Sequence, residues 1–522
     1  MADVLPARAD VVVVGGGHNG LVAATLLARA GLSVVVVERD SVLGGAARTE
    51  QPFPKVPGLR QSTGSYLLGL MPPELAELLD LRLPLVRRDP HYFLPTTSDR
   101  YLLMGSDRAA TRRQFEQFFT TADRDADDRL QAELDMLRED LAPAWLAAPM
   151  SVEHTADRYI RAELQETFVD LVRGSVADYL ARFGFASELL VAMYAVTDGL
   201  SGLTAGPDTP GSGHNFLVHN MCRLPGADGT WMIVRGGMGT VAGTIAERAT
   251  QAGAVMVTDA PVASIEVGGG AVRGVRLADG REIATSTVVA GCDPFTLADL
   301  APLPQEIRDR LADVRRPGTT LKLNLALRDL PRFSCLPPDA PSPFGSTIHL
   351  LPQYEMTGQQ PMDAVRAMWA DVQAGRLPDF PTIEWYLHTT ADASLQDSDG
   401  HHSSALFVQS VPYSPAAGSW DELLPSYVEH LLSICDRFAP GTTDLVADTF
   451  PLPPPGIERH FGIRNGHIHH VDNAIAFDQR MPYRAGIDGL YAASAGCHPA
   501  GSVIGAAGHN AAREVMADLG VA

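Results

Sequence analysis

The sequence predicts an α/β protein of two domains. One is a parallel-sheet domain assembled from three separated stretches, and the other is a discontinuous α+β domain built from the two stretches between them. Three observations lead there. Residues 10–39 run through an apolar segment, a glycine turn, a helical repeat and a second apolar segment. Long amphipathic stretches dominate from about residue 72 to 226, and alternating apolar segments return near residue 231. A short strand, a glycine-rich turn and a helical repeat close the chain. At 522 residues the chain exceeds a single comfortable core, so two or more domains are expected.

Taken in order, Val11 to Val14 is an all-β-branched run, the pattern of a strand buried on both faces. Leu21, Ala24, Leu27 and Ala28 then recur at helical spacing, Gly31 stops the helix, and Val34 to Val37 forms a second buried strand. Residues 121–141 and 164–194 read as helical. Residues 240–253 form a further helix, and 255–257, 262–267 and 272–277 form strands, with Asp279-Gly280 as a hairpin turn. Residues 319–327 make another strand. Pro451, Pro453, Pro454 and Pro455 read as a rigid connector. The expected division assigns 1–71, 228–296 and 456–522 to the parallel-sheet domain. It assigns 72–227, largely helical, and 297–455 to the second domain.

The chemistry-bearing motif is Gly15-Gly16-Gly17-His18-Asn19-Gly20, a G-x-G-x-x-G between a strand and a helix. Gly15 permits the tight turn, Gly17 admits a pyrophosphate against the backbone, and Gly20 lets helix and strand pack closely. The helix start, with His18 and Asn19, offers free N–H groups to phosphate. Glu38, at the end of the second strand, is placed to accept hydrogen bonds from a ribose, and Arg39 beside it belongs to the same site. This is a Rossmann-like dinucleotide site. A second glycine pair, in Leu43-Gly44-Gly45-Ala46-Ala47-Arg48, brings the chain near the second phosphate and a ribityl group, with Gly45 and Ala46 closest. Arg48 is suited to neutralise phosphate; the alternative is a surface arginine.

These words resemble the phytoene-desaturase-like flavoproteins of the amine-oxidase superfamily, closest to the branch of pyridine nucleotide-disulphide oxidoreductase domain proteins. The resemblance is carried by residues 13–21, 43–47, 231–239, 288–294 and 489–511, collinear over nearly the whole chain. It implies FAD as cofactor and a two-domain layout, glutathione-reductase-like or amine-oxidase-like, with a Rossmann-like FAD-binding domain and a discontinuous α+β substrate domain. Carotenoid desaturases carry Gly-Gly-Arg where this chain has Gly45-Ala46-Ala47-Arg48, which favours the less characterised branch. The resemblance also implies roles for single residues. Val262 contacts adenine through its backbone. Gly496, Ser502 and Val503 belong to a C-terminal block whose helix points its N-terminus at the isoalloxazine, with Gly501, Gly505 and Gly508 against the ring. The turn at 235–240 borders the active site; an NADP-binding turn built on Gly237, Gly239 and Gly243 is the alternative.

Lysine occurs only at positions 55 and 322. Strand alternation puts Leu321, Leu323, Leu325 and Leu327 on one face and Lys322 with Asn324 on the other. A lysine among leucines is costly to bury unless a site uses it. By resemblance Lys322 reaches flavin N5 through a water; snorkelling to solvent is the alternative. His498, before a proline, is either a second catalytic residue near the ring or a structural hydrogen-bonder. His467, His469 and His470 with Asp472 read as a loop rather than a metal site, so no metal is expected. Cys497 reads as a small buried residue.

Composition narrows the functional classes. A net charge of -21 argues against nucleic-acid partners. Five scattered cysteines fit a reducing compartment, and residues 1–10 lack the apolar core of an export signal. No apolar run is long enough to span a membrane, so a cytoplasmic location is expected, with homo-oligomerisation left open. No G-x-S-x-G or H-E-x-x-H supports hydrolysis. The expected activity is an FAD-dependent dehydrogenase or desaturase, phytoene-dehydrogenase-like, moving a hydride from a hydrophobic small-molecule substrate to flavin N5. Oxygen and a quinone both stand as electron acceptors. The alternatives are an amine-oxidase-like flavin oxidase using oxygen, and a flavin-dependent isomerase or non-redox flavoprotein.

Overall fold

Strands Val11–Val14 and Val34–Val37 lie parallel, Val11 opposite Val34 through Val14 opposite Val37, with all eight side chains buried. Two buried faces explain the unbroken valine runs. These strands form the centre of a five-stranded parallel sheet in the computed structural model, which describes residues 5–521. The order is Leu490–Ala492, Val288–Ala290, Val11–Val14, Val34–Val37, Val255–Val257, so the start, middle and end of the chain meet in one sheet. Helix His18–Arg29 packs between helices Gly239–Gln251 and Ala506–Leu519. A three-stranded antiparallel sheet, Val262–Gly268, Ala271–Leu277 and Glu282–Ala284, stands beside them, and Gly280 makes its second turn at φ +88°.

The other large sheet has seven strands, ordered Val446–Leu452, Leu321–Leu327, His402–Val408, Ile383–Leu387, Thr347–Leu350, Tyr92–Pro95, Tyr101–Met104. One face is apolar: Leu321, Leu323, Leu325 and Leu327 join Trp385, Leu406 and Val408 in a core shared with helix Trp420–Phe438. On the other face Lys322, Phe407 and Glu384 stand abreast across three strands. The helix Thr121–Leu141 begins at a Thr120–Asp123 capping box and buries Leu130, Leu134, Leu137 and Leu141.

Residues 164–194 are largely helical, as expected, in three helices, Gln165–Arg173, Val176–Ala181 and Glu188–Tyr194, with Gly174 capping the first. One expectation is corrected. The prolines at 451–455 are no connector. Pro451 lies in strand Val446–Leu452, while Pro453 caps helix Pro454–Phe461. Proline lacks an N–H and has a helical φ, so it suits a first helical turn. Among the described residues no helix is long and apolar enough to cross a membrane. The reading of residues 1–10 as lacking an export signal falls partly on residues 1–4, outside the described residues.

Candidate active site

A cavity of about 510 Å³ is lined by residues from both large sheets. At one end is the first glycine turn. Gly15, at φ +99°, donates its N–H to the Val37 carbonyl at 2.8 Å and closes the turn. Gly17 caps helix His18–Arg29, and the space where its Cβ would lie is open. Gly17, His18 and Asn19 line the cavity, so the helix presents its N–H groups and positive dipole end there. Gly20 lies behind: a Cβ would strike the Gly15 carbonyl oxygen, so this glycine sets helix–strand packing.

Glu38 lines the same end and is buried. Its Oε2 accepts from Gly16 N–H at 2.7 Å and Oε1 from Asp40 N–H at 3.0 Å, which holds the carboxylate in place. Gly44 N–H donates to the Gly16 carbonyl at 2.8 Å and ties the second glycine pair to the first. Gly45, Ala46, Arg39, Val262, Ser502 and Val503 also line the cavity. His18 Nε2, Asn19 Oδ1 and His470 Nδ1 are buried polar atoms without a protein partner, and all three residues line this cavity. Burial, with His470 nearby, pulls the His18 imidazole down to about 4, so its ring is neutral at pH 7. A backbone cradle, a helix N-terminus, a fixed carboxylate and unpartnered polar atoms fit FAD.

Several residues lie elsewhere than expected. Arg48 does not line the cavity: Nη1 donates to Asp40 Oδ2 at 3.0 Å, Nη2 to the His460 carbonyl at 2.8 Å, and Nε lies 3.4 Å from Glu50. Two carboxylates neutralise it away from the cavity, so it is not placed to meet a phosphate there. His498 is turned away, with Nε2 3.0 Å from the Ala144 carbonyl and its ring against Phe477. Gly496 packs on Pro294, Gly501 on His469, Gly505 on Leu75 and Gly508 on the Asn19 carbonyl. These C-terminal glycines therefore serve close packing between elements. Gly239 packs on Thr49 and donates to its hydroxyl at 3.0 Å, so the 235–240 turn is a junction between segments. His467 pairs with Asp472 at 3.1 Å and His469 with the Ser201 carbonyl at 3.0 Å. Among the described residues the one cluster with metal-ligand spacing is Asp397, Asp399 and His401, away from this cavity.

The other end of the cavity is the polar face of the seven-stranded sheet. Lys322 is 4% exposed, with Nζ 4.4 Å from the Tyr66 ring centroid and 4.1 Å from that of Phe407. Burial lowers its pKa to about 7, against the pull of Glu384. Glu384 accepts from Tyr386 and Gln409, and burial pushes its carboxyl up to about 7. Asp198 sits on the π-helix Ala195–Leu200, accepts from the Tyr92 hydroxyl at 3.3 Å, and is pushed up to about 7 by burial. Single π turns recur at functional sites. Arg88 completes this end. The sequence reading missed Glu384, Asp198 and Arg88. Glu384 carries the same signal as Lys322, a charge inside an apolar strand; Asp198 and Arg88 have no comparable signal.

Comparison with known proteins agrees with this geometry. The flavin containing amine oxidoreductase family matches residues 20–374. Pyridine nucleotide-disulfide oxidoreductase domain-containing protein 2 of Mus musculus is 33% identical over 561 residues, covering 98% of this chain and 94% of its own length. Hydroxyneurosporene desaturase of Cereibacter sphaeroides is 26% identical and covers 99% of both chains. The structure of putrescine oxidase aligns with a TM-score of 0.58 at 16% identity, covering 98% of this chain and 99% of that one, a likeness of fold. With its parallel nucleotide-binding sheet and FAD-fitting cavity, the chain belongs to the flavin containing amine oxidoreductase family and is an FAD-dependent oxidoreductase.

Proposed function

We propose that the protein is a dehydrogenase or desaturase that oxidises a carbon centre of a largely apolar small molecule. FAD, when bound, supplies an acceptor for two electrons and a proton at N5. The observation that carries the reading is Lys322. Its ammonium lies between the Tyr66 and Phe407 rings, facing the same cavity as the first glycine turn. In an amine oxidase, an aromatic pair of this kind would cradle the substrate's own cation. Here the chain fills that place itself, which favours a substrate without an amine.

With a pKa lowered to about 7, Lys322 divides between a charged and a neutral form near neutral pH. The charged form stabilises negative charge developing in the cavity, and the neutral form takes a proton. Glu384, one strand beyond Phe407, is the group able to exchange that proton. The role of Glu38 is to hold the ribose, and that of Gly17, His18 and Asn19 is to face the pyrophosphate. The relative named as a desaturase supports carbon–carbon oxidation. The two-domain division at 71, 227, 296 and 455 and a cytoplasmic location belong to the same reading. The five cysteines support that location, each free and none disulfide-bonded among the described residues.

The test is anaerobic mixing of the holoenzyme with apolar alkenes, apolar acids and primary amines. Bleaching of the flavin by a substrate without nitrogen, with a new C=C in the product, is the expected result. Bleaching by amines alone, with an imine or carbonyl product, replaces the reading with an amine oxidase.

A further inference from the structure

Arg88 enters the cavity just after strand Leu85–Arg87, which pairs with Met232–Val234. It is buried, at 3% exposure. Nε donates to the Trp231 carbonyl at 2.7 Å and Nη1 to the Thr347 hydroxyl at 2.5 Å. Both acceptors are neutral, and among the described residues Arg88 makes no ion pair. A guanidinium keeps its charge when buried, and a buried charge without a counter-ion is strongly unfavourable. Asp198 and Glu384, the acids at this end of the cavity, act on Arg88 through space but from outside ion-pair distance. Asp198 is held by Tyr92, and Glu384 by Tyr386 and Gln409. Burial biases both acids toward the neutral form.

The polar end of the cavity therefore carries a fixed guanidinium, with two hydrogen bonds that hold its plane and no carboxylate within ion-pair distance among the described residues, in the same cavity as the Lys322 amine. The same cavity is lined by the aromatic rings of Trp231, Tyr386, Tyr66 and Phe407. We propose that Arg88 recognises an anionic group of the substrate, and that the substrate class is an apolar carboxylic acid bound through its carboxylate. A single guanidinium matches one carboxylate charge in a planar fork. A phosphate monoester, close to two negative charges at neutral pH, would bring its second charge toward Asp198 and Glu384. The proposal rests on reading this end of the cavity as the substrate site.

The test is binding to the oxidised holoenzyme, read as a flavin difference spectrum, with three probes of one skeleton: 4-phenylbutyrate, 4-phenylbutanamide and 4-phenylbutylamine. The carboxylate is expected to bind roughly tenfold or more tightly than the amide, because only it satisfies the buried charge. Arg88→Gln is expected to erase that preference while keeping FAD bound. Arg88→Lys, which retains the charge without the fork, is expected to keep part of it. Amide binding as tight as carboxylate, no carboxylate-dependent spectral change, or a preference that survives Arg88→Gln overturns the proposal. Binding needs no turnover, so the readings separate. Tight carboxylate binding without any flavin bleaching leaves the anion site standing, and the dehydrogenase reading falls only with the anaerobic substrate panel.

Discussion

Lys322→Met separates what this residue costs the fold from what it does in the cavity. Burial takes the Lys322 ammonium from an ordinary 10.5 to about 7. At about 1.4 kcal/mol per tenfold, that corresponds to roughly 5 kcal/mol against the charged form in the folded state. The unfolded chain holds the proton up to about pH 10.5, whereas the folded chain releases it near pH 7. Between those values the unfolded state binds more protons, so stability rises with pH. The penalty is full below about pH 7 and fades toward about pH 10.5. Methionine has a similar length and no charge, and its sulfur packs well between the Tyr66 and Phe407 rings. The variant is therefore expected to be more stable than the parent by about 3–5 kcal/mol near pH 7, with the gap closing as pH approaches 10. Denaturant unfolding with FAD saturating in both proteins, at a series of pH values, measures this. In stopped-flow half-reactions the same variant is expected to keep FAD and lose about one to three decades in flavin reduction or reoxidation, roughly 1.4–4 kcal/mol. A variant less stable at every pH, or one with both half-reactions within about twofold of the parent, refutes the reasoning.

Three further outcomes are expected. Glu38→Ala removes a carboxylate already fixed by Gly16 and Asp40; its FAD affinity, titrated on apoprotein, should fall by about 1.5–3 kcal/mol, and unchanged affinity would contradict the ribose role. Gly20→Ala drives a methyl into the Gly15 carbonyl oxygen, so soluble, yellow protein should be largely lost, and a stable FAD-loaded variant would show that helix and strand can separate. The rate of anaerobic flavin reduction should change through an apparent pKa near 7, set jointly by Lys322 and Glu384, rising with pH if neutral Lys322 takes the proton; Glu384→Gln should displace that limb, and a profile flat from about pH 6 to 8 in the parent would exclude both groups.

Local pattern alone made the nucleotide-binding half legible. Four valines, a glycine turn and a helical repeat are contiguous, and two of the glycines answer constraints within the motif itself, the positive φ at Gly15 and the contact of Gly20 with the Gly15 carbonyl. Lys322 was legible too, because strand alternation places a lone charge opposite four leucines without reference to any other segment. Arg48 and His498 show where that reasoning ends. Glu50 stands two residues from Arg48, but nothing in the local pattern announces that it and Asp40 close on that guanidinium, or that the Ala144 carbonyl holds the His498 ring. The polar end of the cavity depends still more on distant pairing. Tyr66, Arg88, Asp198, Lys322 and Glu384 come from separate stretches and meet only when the seven-stranded sheet sets its register against the helical layer. Sequence determines which side chains share a strand face. Burial and the identity of the group across the cavity are tertiary properties, and they decide whether a charge is neutralised, shifted or left for a ligand.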